Sequence, residues 1–220
     1  LYETKSRVRL SESAYQNNGN LQDIPMQRTY DALENFLTII TSFKARKTLC
    51  VATSALRDAP NKKKFLERVK KELKLNIKII NGEKEAYLGA IACANLLPVQ
   101  KDALTIDIGG GSTELALIND KDVSNTLSLN LGTVRLKELF CDEKNKNEAI
   151  EYIDIKLEAL DGLKATTLVG IGGTFRAISN AIMKKKNYPL NKLHAFSYSS
   201  AELDDFISSI MEADETELKN

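Results

Sequence analysis

The sequence predicts an α/β protein built from two lobes. Short apolar runs of strand length alternate with segments whose apolar residues recur at helical spacing, a pattern typical of layered α/β folds. The alternation runs α, β, α, β, α as far as Leu97, and it restarts after Asp102 with a glycine-rich hairpin. We therefore predict one lobe over residues 1–97 and a second over residues 98–220. The cleft between two such lobes is the default place for a ligand.

Periodicity places the elements in order along the chain. The predicted strands are 7–10, 48–53, 77–80, the two runs inside 103–118, 124–129 and 166–171. The predicted helices are 27–43, a segment containing Phe65, Val69 and Leu73, 83–97, 148–160, a helix that follows the glycines at 172–173, and a last helix. That last helix is predicted to begin at the capping box Ser199-x-x-Glu202, in which side chains satisfy the first free amides.

The hairpin within Ala103–Ile118 is the strongest functional signal. Its turn reads Gly-Gly-Gly-Ser-Thr, and glycines let the backbone approach an anion closely. Asp107 and Glu114 flank the turn, where their charge would repel a bare phosphate unless a divalent cation lay between them. No lysine follows the glycines as in a Walker loop, and a strand rather than a helix comes next, which excludes a dinucleotide fingerprint. An ordinary hairpin is the alternative, but such turns do not need three glycines.

Strand alternation gives both carboxylates of the hairpin one face. Asp107 shares a face with Thr105, whereas Glu114 lies opposite Leu115 on the returning strand. Both acids are thus expected to face a ligand while the aliphatic residues face the core.

A second glycine turn lies in Gly170–Arg176, where an apolar strand leads directly into a helix. Free amides and the helix dipole make such a junction an anion site. A tight strand-to-helix turn without a ligand explains the sequence equally well.

Two shorter segments carry polar groups of the right kind. Ser54 and Arg57 follow a predicted buried strand and can donate to phosphate, although pairing of Arg57 with Asp58 is a local alternative. Glu83 and Glu85 open a predicted helix, where the helix dipole alone favours acids and where either acid could polarise a water. Periodicity does not choose between the two glutamates.

Composition and charge exclude several classes of function. The 220 residues are 43% hydrophobic and carry 31 basic against 30 acidic side chains, so no strong field predicts a nucleic acid or an anionic membrane as partner. No apolar run is long enough for a membrane span, and the first residues do not resemble a signal peptide. Three scattered cysteines are expected to be reduced thiols of a cytoplasmic protein. With one histidine, His194, proton transfer is expected to fall to carboxylates.

Taken together and in this order, four segments resemble the exopolyphosphatase/guanosine pentaphosphate phosphohydrolase family of the actin-like ATPase superfamily. They read Ala-Thr-Ser-Ala-Leu-Arg-Asp-Ala, Asn-Gly-Glu-x-Glu-Ala, Asp-Ile-Gly-Gly-Gly-Ser-Thr-Glu and Gly-Ile-Gly-Gly-Thr. The similarity runs from about Arg7 to Ser208. It implies two ribonuclease-H-like lobes around a central cleft. It also implies Mg²⁺-dependent release of terminal phosphate from polyphosphate, or of the 5′ γ-phosphate from guanosine pentaphosphate.

The resemblance also assigns roles to residues. Glu85 matches the catalytic glutamate, while Lys84 replaces the glutamate that precedes it in the family pattern. Asp107 and Glu114 are the expected metal ligands. The expected phosphate-binding residues are Ser54, Arg57, Gly109, Gly110, Gly111, Ser112 and Thr113, and the expected nucleotide- or polyphosphate-binding residues are Gly172, Gly173 and Thr174.

The motifs leave other functions open. A kinase of the same superfamily would place a substrate hydroxyl where we place water, and a non-catalytic sensor would bind guanosine tetra- or pentaphosphate without hydrolysis. The resemblance implies a further strand and phosphate loop ahead of Leu1, so the first lobe is expected to be incomplete at its start and the second lobe at its end. Cleft enzymes of this size often dimerise, so a homodimer is one expectation. Neither substrate preference nor oligomeric state can be read from the motifs.

Overall fold

The computed structural model describes residues 2–98, 101–141, 145–189 and 192–213. The helices are α1 Asp23–Ser42, α2 Ser54–Arg57, α3 Lys62–Glu72, α4 Gly82–Leu96, α5 Thr133–Leu136, α6 Lys146–Leu157, α7 Gly172–Lys185 and α8 Ser200–Glu212. The strands are β1 Cys50–Ala52, β2 Ile77–Ile79, β3 Ala103–Ile108, β4 Thr113–Asn119, β5 Asp122–Leu129 and β6 Thr167–Ile171. Short 3-10 turns occupy Tyr15–Asn17 and Glu158–Leu160, and a π-helical turn, Lys137–Cys141, continues α5. The predicted α/β class is confirmed.

Contacts divide the chain into two compact units, Leu1–Ile171 and Gly172–Asn220. The first unit contains both sheets, and the second contains α7 and α8. The lobe boundary that the sequence predicts, between residues 97 and 98, stays a prediction.

Each sheet of the first unit follows from the strand signals. β1 and β2 pair in parallel, with Cys50 opposite Ile77. The larger sheet has the order β5-β4-β3-β6, with β3 antiparallel to β4 and parallel to β6. The glycine turn joins β3 to β4, as the hairpin motif predicts. The long crossover from β5 to β6 contains α5 and α6, which a parallel pairing of β3 and β6 requires.

Both faces of the larger sheet are covered by apolar side chains. On one face, Ala86, Ala90 and Ala94 of α4 pack against the sheet, which contributes Ala103 from β3 and Ala116 from β4. Alanines at a helix–sheet contact let the two backbones approach closely. The other face packs Leu115, Leu129 and Leu131 against residues of α6. A third cluster joins α1 and α3 to the β1–β2 pair, with Phe65 and Val69 buried at its centre.

One strand prediction is wrong, and a second is right in position but wrong in its bounds and burial. Residues 7–10, predicted as a strand, have no regular structure up to Arg9 and then enter a turn. The strand predicted over 48–53 shortens to Cys50–Ala52, and Val51 is 52% exposed rather than buried. Residues 7–10 have no pairing strand among the described residues, whereas β1 pairs with β2 but leaves Val51 half-exposed; tertiary context decides β structure.

Among the described residues, no helix combines the length and the apolar character needed to cross a bilayer.

Candidate active site at the glycine hairpin

Arg57 lies where three of the predicted segments meet. It ends α2, the short helix that follows β1, and its side chain is 18% exposed. Its Nη1 donates to Oε2 of Glu85 at 2.8 Å. Its Nη2 lies 3.5 Å from the hydroxyl oxygen of Ser112 and 3.7 Å from Oε1 of Glu114. One guanidinium therefore connects the α2 turn, the start of α4 and the glycine hairpin.

The local alternative for Arg57 is a minor contact. Nε of Arg57 lies 3.5 Å from Oδ1 of Asp58, whereas the other carboxylate oxygen of Asp58 accepts from Arg135 at 2.7 Å. The neighbouring acid is thus directed to a different cation, and the guanidinium of Arg57 faces Glu85.

The first turn of α4 places Glu85 beside Arg57. Asn81 caps the helix, since its side-chain oxygen accepts from the amide of Lys84 at 2.9 Å. Gly82 then packs directly against β5, where an added Cβ would lie 2.1 Å from Cβ of Ser128. A helix with any larger residue at this position could not come so close to the sheet. Glu85 is 24% exposed at its side chain, so water can reach its carboxylate.

Glu83 lines a cavity together with Arg57 and Ser128 but makes no contact with the Arg57 guanidinium. It is exposed, and no ion pair joins it to a cation within the part of the chain that the structure describes. Of the two glutamates between which periodicity did not choose, Glu85 is the one brought to Arg57 and to the hairpin.

The glycine turn is held by its carbonyl groups. Gly109 closes the turn by donating to the carbonyl oxygen of Ser112 at 2.9 Å. The carbonyl of Gly109 accepts from the amide of Thr133 at 3.0 Å, and that of Gly110 accepts from the amide of Val134 at 2.9 Å. In a trans peptide the N–H points opposite to the C=O. The amides of Gly110 and Gly111 therefore point away from α5, and no acceptor among the described residues takes a hydrogen bond from either one.

Close packing explains why the turn needs glycines. A Cβ on Gly111 would lie 2.3 Å from the hydroxyl oxygen of Tyr15 and 2.9 Å from that of Ser54. A Cβ on Gly110 would lie 3.3 Å from a methyl group of Val134. Ser54, predicted to bind phosphate, is thus brought against the turn by the same contacts.

Asp107 and Glu114 are direct partners across the β3–β4 ladder. Both lie on the sheet face that α4 covers, which confirms the common face predicted from alternation, although this face also carries an alanine-rich core. Glu114 is 6% exposed and accepts from the hydroxyl of Ser128 at 2.8 Å. Burial raises the pKa of Glu114 and the charge of Glu85 adds to this, while hydrogen bonds from Ser112 and Ser128 and the charge of Arg57 oppose it.

This pair of carboxylates fits a magnesium ion. No group of three or more acidic, histidine or cysteine side chains in the described ranges is arranged to hold a metal by itself. Mg²⁺, however, commonly uses one or two carboxylates and completes its shell with water and substrate phosphates. Burial is the main cause of the raised pKa of Glu114, and a cation bound beside this carboxylate would offset the cost of keeping it ionised.

The remaining predicted residues are placed as follows. Thr113 is buried, and its hydroxyl donates to the carbonyl oxygen of Leu131 at 2.8 Å, so this side chain stabilises the turn. Gly172, Gly173 and Thr174 form the first turn of α7 in the second unit, with Gly172 at φ +79°. An added Cβ on Gly173 would meet nothing within 4 Å. Their role in binding nucleotide or polyphosphate stays a prediction.

Several residues that shape the site lie outside the four sequence motifs. Gly132 packs on the hairpin so tightly that a Cβ there would lie 2.4 Å from the carbonyl oxygen of Gly110. Ser128 positions Glu114, and Arg135 binds the carbonyl oxygen of Gly111 at 2.8 Å. A single glycine or arginine after a strand is common in any protein, so only the spatial proximity of these residues to the hairpin distinguishes them.

Comparison with known proteins places the whole chain in one family. The profile of the Ppx/GppA phosphatase family matches residues 1–220. The chain is 32% identical over 223 aligned residues to a bifunctional 3-dehydroquinate synthase/phosphatase of Fusobacterium nucleatum, covering 94% of this chain and 33% of that protein. It is 31% identical to the guanosine-5′-triphosphate,3′-diphosphate pyrophosphatase of Aliivibrio fischeri, covering 81% of this chain and 38% of that protein. This chain therefore spans about a third of the length of these relatives.

Solved structures give the same result for the fold. The exopolyphosphatase of Cytophaga hutchinsonii superposes with a TM-score of 0.85 at 25% identity, over 97% of this chain and 72% of that one. The PPX-GPPA enzyme of Aquifex aeolicus superposes with a TM-score of 0.76 at 27% identity, over 100% of this chain and 74% of that one. Motifs, fold and full-length profile match agree, and the chain belongs to the Ppx/GppA phosphatase family.

Proposed function

We propose that the protein containing this chain is a phosphohydrolase that releases the terminal phosphate of inorganic polyphosphate, the 5′ γ-phosphate of guanosine pentaphosphate, or both. The observation that carries the proposal is the contact of Arg57 with Glu85 on one side and with Ser112 and Glu114 on the other. Only the Arg57 side chain separates the water-accessible carboxylate of Glu85 from the glycine turn, which presents backbone amides. Family membership and the relatives described above support the same reaction class.

The residues divide the reaction between them. Arg57 and the amides of Gly110 and Gly111 bind oxygens of the terminal phosphate, since charged and backbone donors favour the charge that spreads over these oxygens. Glu85 takes a proton from a water molecule while the oxygen of that water bonds to the terminal phosphorus. The bond from that phosphorus to the bridging oxygen breaks, and the shortened chain leaves with the bridging oxygen.

Magnesium is part of the proposal. Asp107 and Glu114 would hold Mg²⁺, which would supply positive charge to the phosphate oxygens. We propose a cytoplasmic protein as well, in line with the free thiols of Cys50, Cys93 and Cys141.

Phosphate release by the full-length protein tests the proposal. Long-chain polyphosphate and guanosine pentaphosphate are offered in parallel, with Mg²⁺ and without an acceptor. We expect release from at least one, and the ratio of the two kcat/KM values identifies the preferred substrate. Binding of guanosine pentaphosphate without release from either would contradict the proposal and favour a sensor, whereas release only after an acceptor alcohol is added would favour a kinase.

A further inference from the structure

Arg135 joins two parts of the candidate site that come from distant points in the chain. It belongs to α5 and its side chain is 12% exposed. Its Nε donates to the carbonyl oxygen of Gly111 at 2.8 Å, and its Nη2 donates to Oδ2 of Asp58 at 2.7 Å. Asp58 directly follows Arg57. The two edges of one planar guanidinium thus bind the glycine turn and the segment that presents Arg57.

A third segment is fixed by the same helical stretch. The guanidinium of Arg135 stacks over the ring of Tyr15, 4.4 Å from its centroid. Glu138, three residues further on, accepts from the amides of Ser13 and Tyr15 at 2.7 and 3.0 Å. The hydroxyl of Tyr15 in turn lies against Gly111, so close that a side chain there would collide with it. The N-terminal segment is therefore packed between Arg135 and the turn.

Peptide geometry links Arg135 to the amide of Ser112. The carbonyl of Gly111 and the N–H of Ser112 belong to one trans peptide and point in opposite directions. When Nε of Arg135 binds that carbonyl, it directs the N–H of Ser112 to the side away from α5, where the amides of Gly110 and Gly111 already point. Successive amides on one side form the kind of concave donor set that binds anions.

We propose that Arg135 is a positioning residue, which sets both the orientation of the turn amides and their distance from the Arg57 guanidinium. The inference rests on the proposed function, in which these two groups hold the same phosphate. Lysine cannot replace arginine here, because a single ammonium lacks the planar fork that binds a carbonyl and a carboxylate together and stacks on an aromatic ring.

The test substitutes Arg135→Lys in the full-length protein. Arg68→Lys is the matched control, since Arg68 also stacks on a tyrosine, 4.0 Å from the ring centroid of Tyr30, and pairs with Glu72 at 3.2 Å. Misplacing a binding group by about 1 Å costs roughly 100-fold in rate. We expect kcat to fall by about that factor in Arg135→Lys, with KM within a few-fold and the melting temperature close to that of the control. Arg68→Lys is expected to keep the wild-type kcat.

Amide hydrogen exchange of Gly109, Thr133 and Val134, whose hydrogen bonds hold the turn, provides a readout that does not depend on activity. We expect faster exchange there in Arg135→Lys, with other segments unchanged. An unchanged exchange rate in these residues overturns the inference even if wild type proves inactive and the proposed function fails. Wild-type kcat in Arg135→Lys, alongside an active wild type, overturns the inference and leaves the proposed function standing. Faster exchange throughout the chain with a large drop in melting temperature assigns Arg135 a structural role only, and also overturns it.

Discussion

The guanidinium of Arg57 donates to the carboxylate of Glu85 at 2.8 Å, and this contact joins two motifs that are 28 residues apart in sequence. Neither motif, taken from the sequence alone, predicts that its side chain contacts the other. The pairing places a proton acceptor and a phosphate-binding cation side by side at the glycine hairpin, and the catalytic roles proposed above depend on that arrangement.

Arg57→Lys is expected to lower kcat/KM for polyphosphate by roughly 10- to 100-fold, because a hydrogen bond to a charged group contributes about 1.5–3 kcal/mol. Steady-state phosphate release measures the effect. Arg28→Lys is the control, since Arg28 pairs with Glu12 outside the site. A kcat/KM of Arg57→Lys within twofold of the control would show that Arg57 does not bind substrate.

Gly132→Ala is expected to lower the free energy of unfolding by about 1–3 kcal/mol, the usual cost of overpacking. Gly132 has φ −159°, which any residue adopts, so space alone is limiting. Its Cβ would lie 2.4 Å from the carbonyl oxygen of Gly110, a backbone atom that cannot rotate away. Urea unfolding of Gly132→Ala and of Gly173→Ala, whose Cβ would meet nothing within 4 Å, provides the comparison. Equal stability of the two variants would contradict the packing that holds the turn.

Mg²⁺ is expected to raise the melting temperature of the wild-type protein, since a ligand at 100 times its Kd adds about 2.7 kcal/mol to the free energy of unfolding. Asp107→Asn should remove most of this increase. Asp120→Asn changes an exposed acid at the far end of the same hairpin and should retain it. A full Mg²⁺ response in Asp107→Asn would place the metal elsewhere.

Because of Glu202, the stability of the second unit is expected to depend on pH. The hydrogen bond from Lys186, followed by that from the Ser199 amide in the capping box, lowers the pKa of Glu202 from 4.5 to about 2. Because its folded pKa is the lower one, the ionised carboxylate stabilises the fold above pH 4.5, and this stabilisation is lost as the pH falls to about 2. Glu202→Gln keeps the capping geometry without the charge.

The measurement is the melting temperature of wild type and Glu202→Gln across this pH range. We expect wild type to melt higher at pH 7 and the difference to vanish near pH 2. A difference that does not change with pH would contradict the role of the charge. Glu151→Gln, on the exposed side of α6, is the control.

Much of the fold could be predicted because its strong signals are local. The triple glycine between two apolar runs predicted the β3–β4 hairpin, and alternation placed Asp107 and Glu114 on one face. The capping box at Ser199 begins α8 as expected, with both of its hydrogen bonds formed. Each of these features depends on residues within a few positions of one another.

The rest of the site depends on long-range packing. Periodicity could not select Glu85 over Glu83. Which of the two lies beside Arg57 depends on the close packing of Gly82 in α4 against Ser128 on β5. No sequence motif marks Arg135, because its partners, Asp58 and Gly111, lie 77 and 24 residues away in the chain. The strand predicted at residues 7–10 was wrong for the same kind of reason, because a strand forms only where a partner strand accepts its hydrogen bonds.

The most direct test of the account is phosphate release by Glu85→Gln in the full-length protein, with Mg²⁺ and the substrate that wild type prefers. Glu83→Gln, two residues earlier on the same helix turn, is the matched control. Loss of a general base lowers turnover by about 100- to 10,000-fold, and we predict a fall of this size in kcat with KM little changed. The control should remain within about twofold of wild type, as expected for a surface substitution. A Glu85→Gln protein that releases phosphate as fast as wild type would remove Glu85 from the reaction and contradict the proposed mechanism.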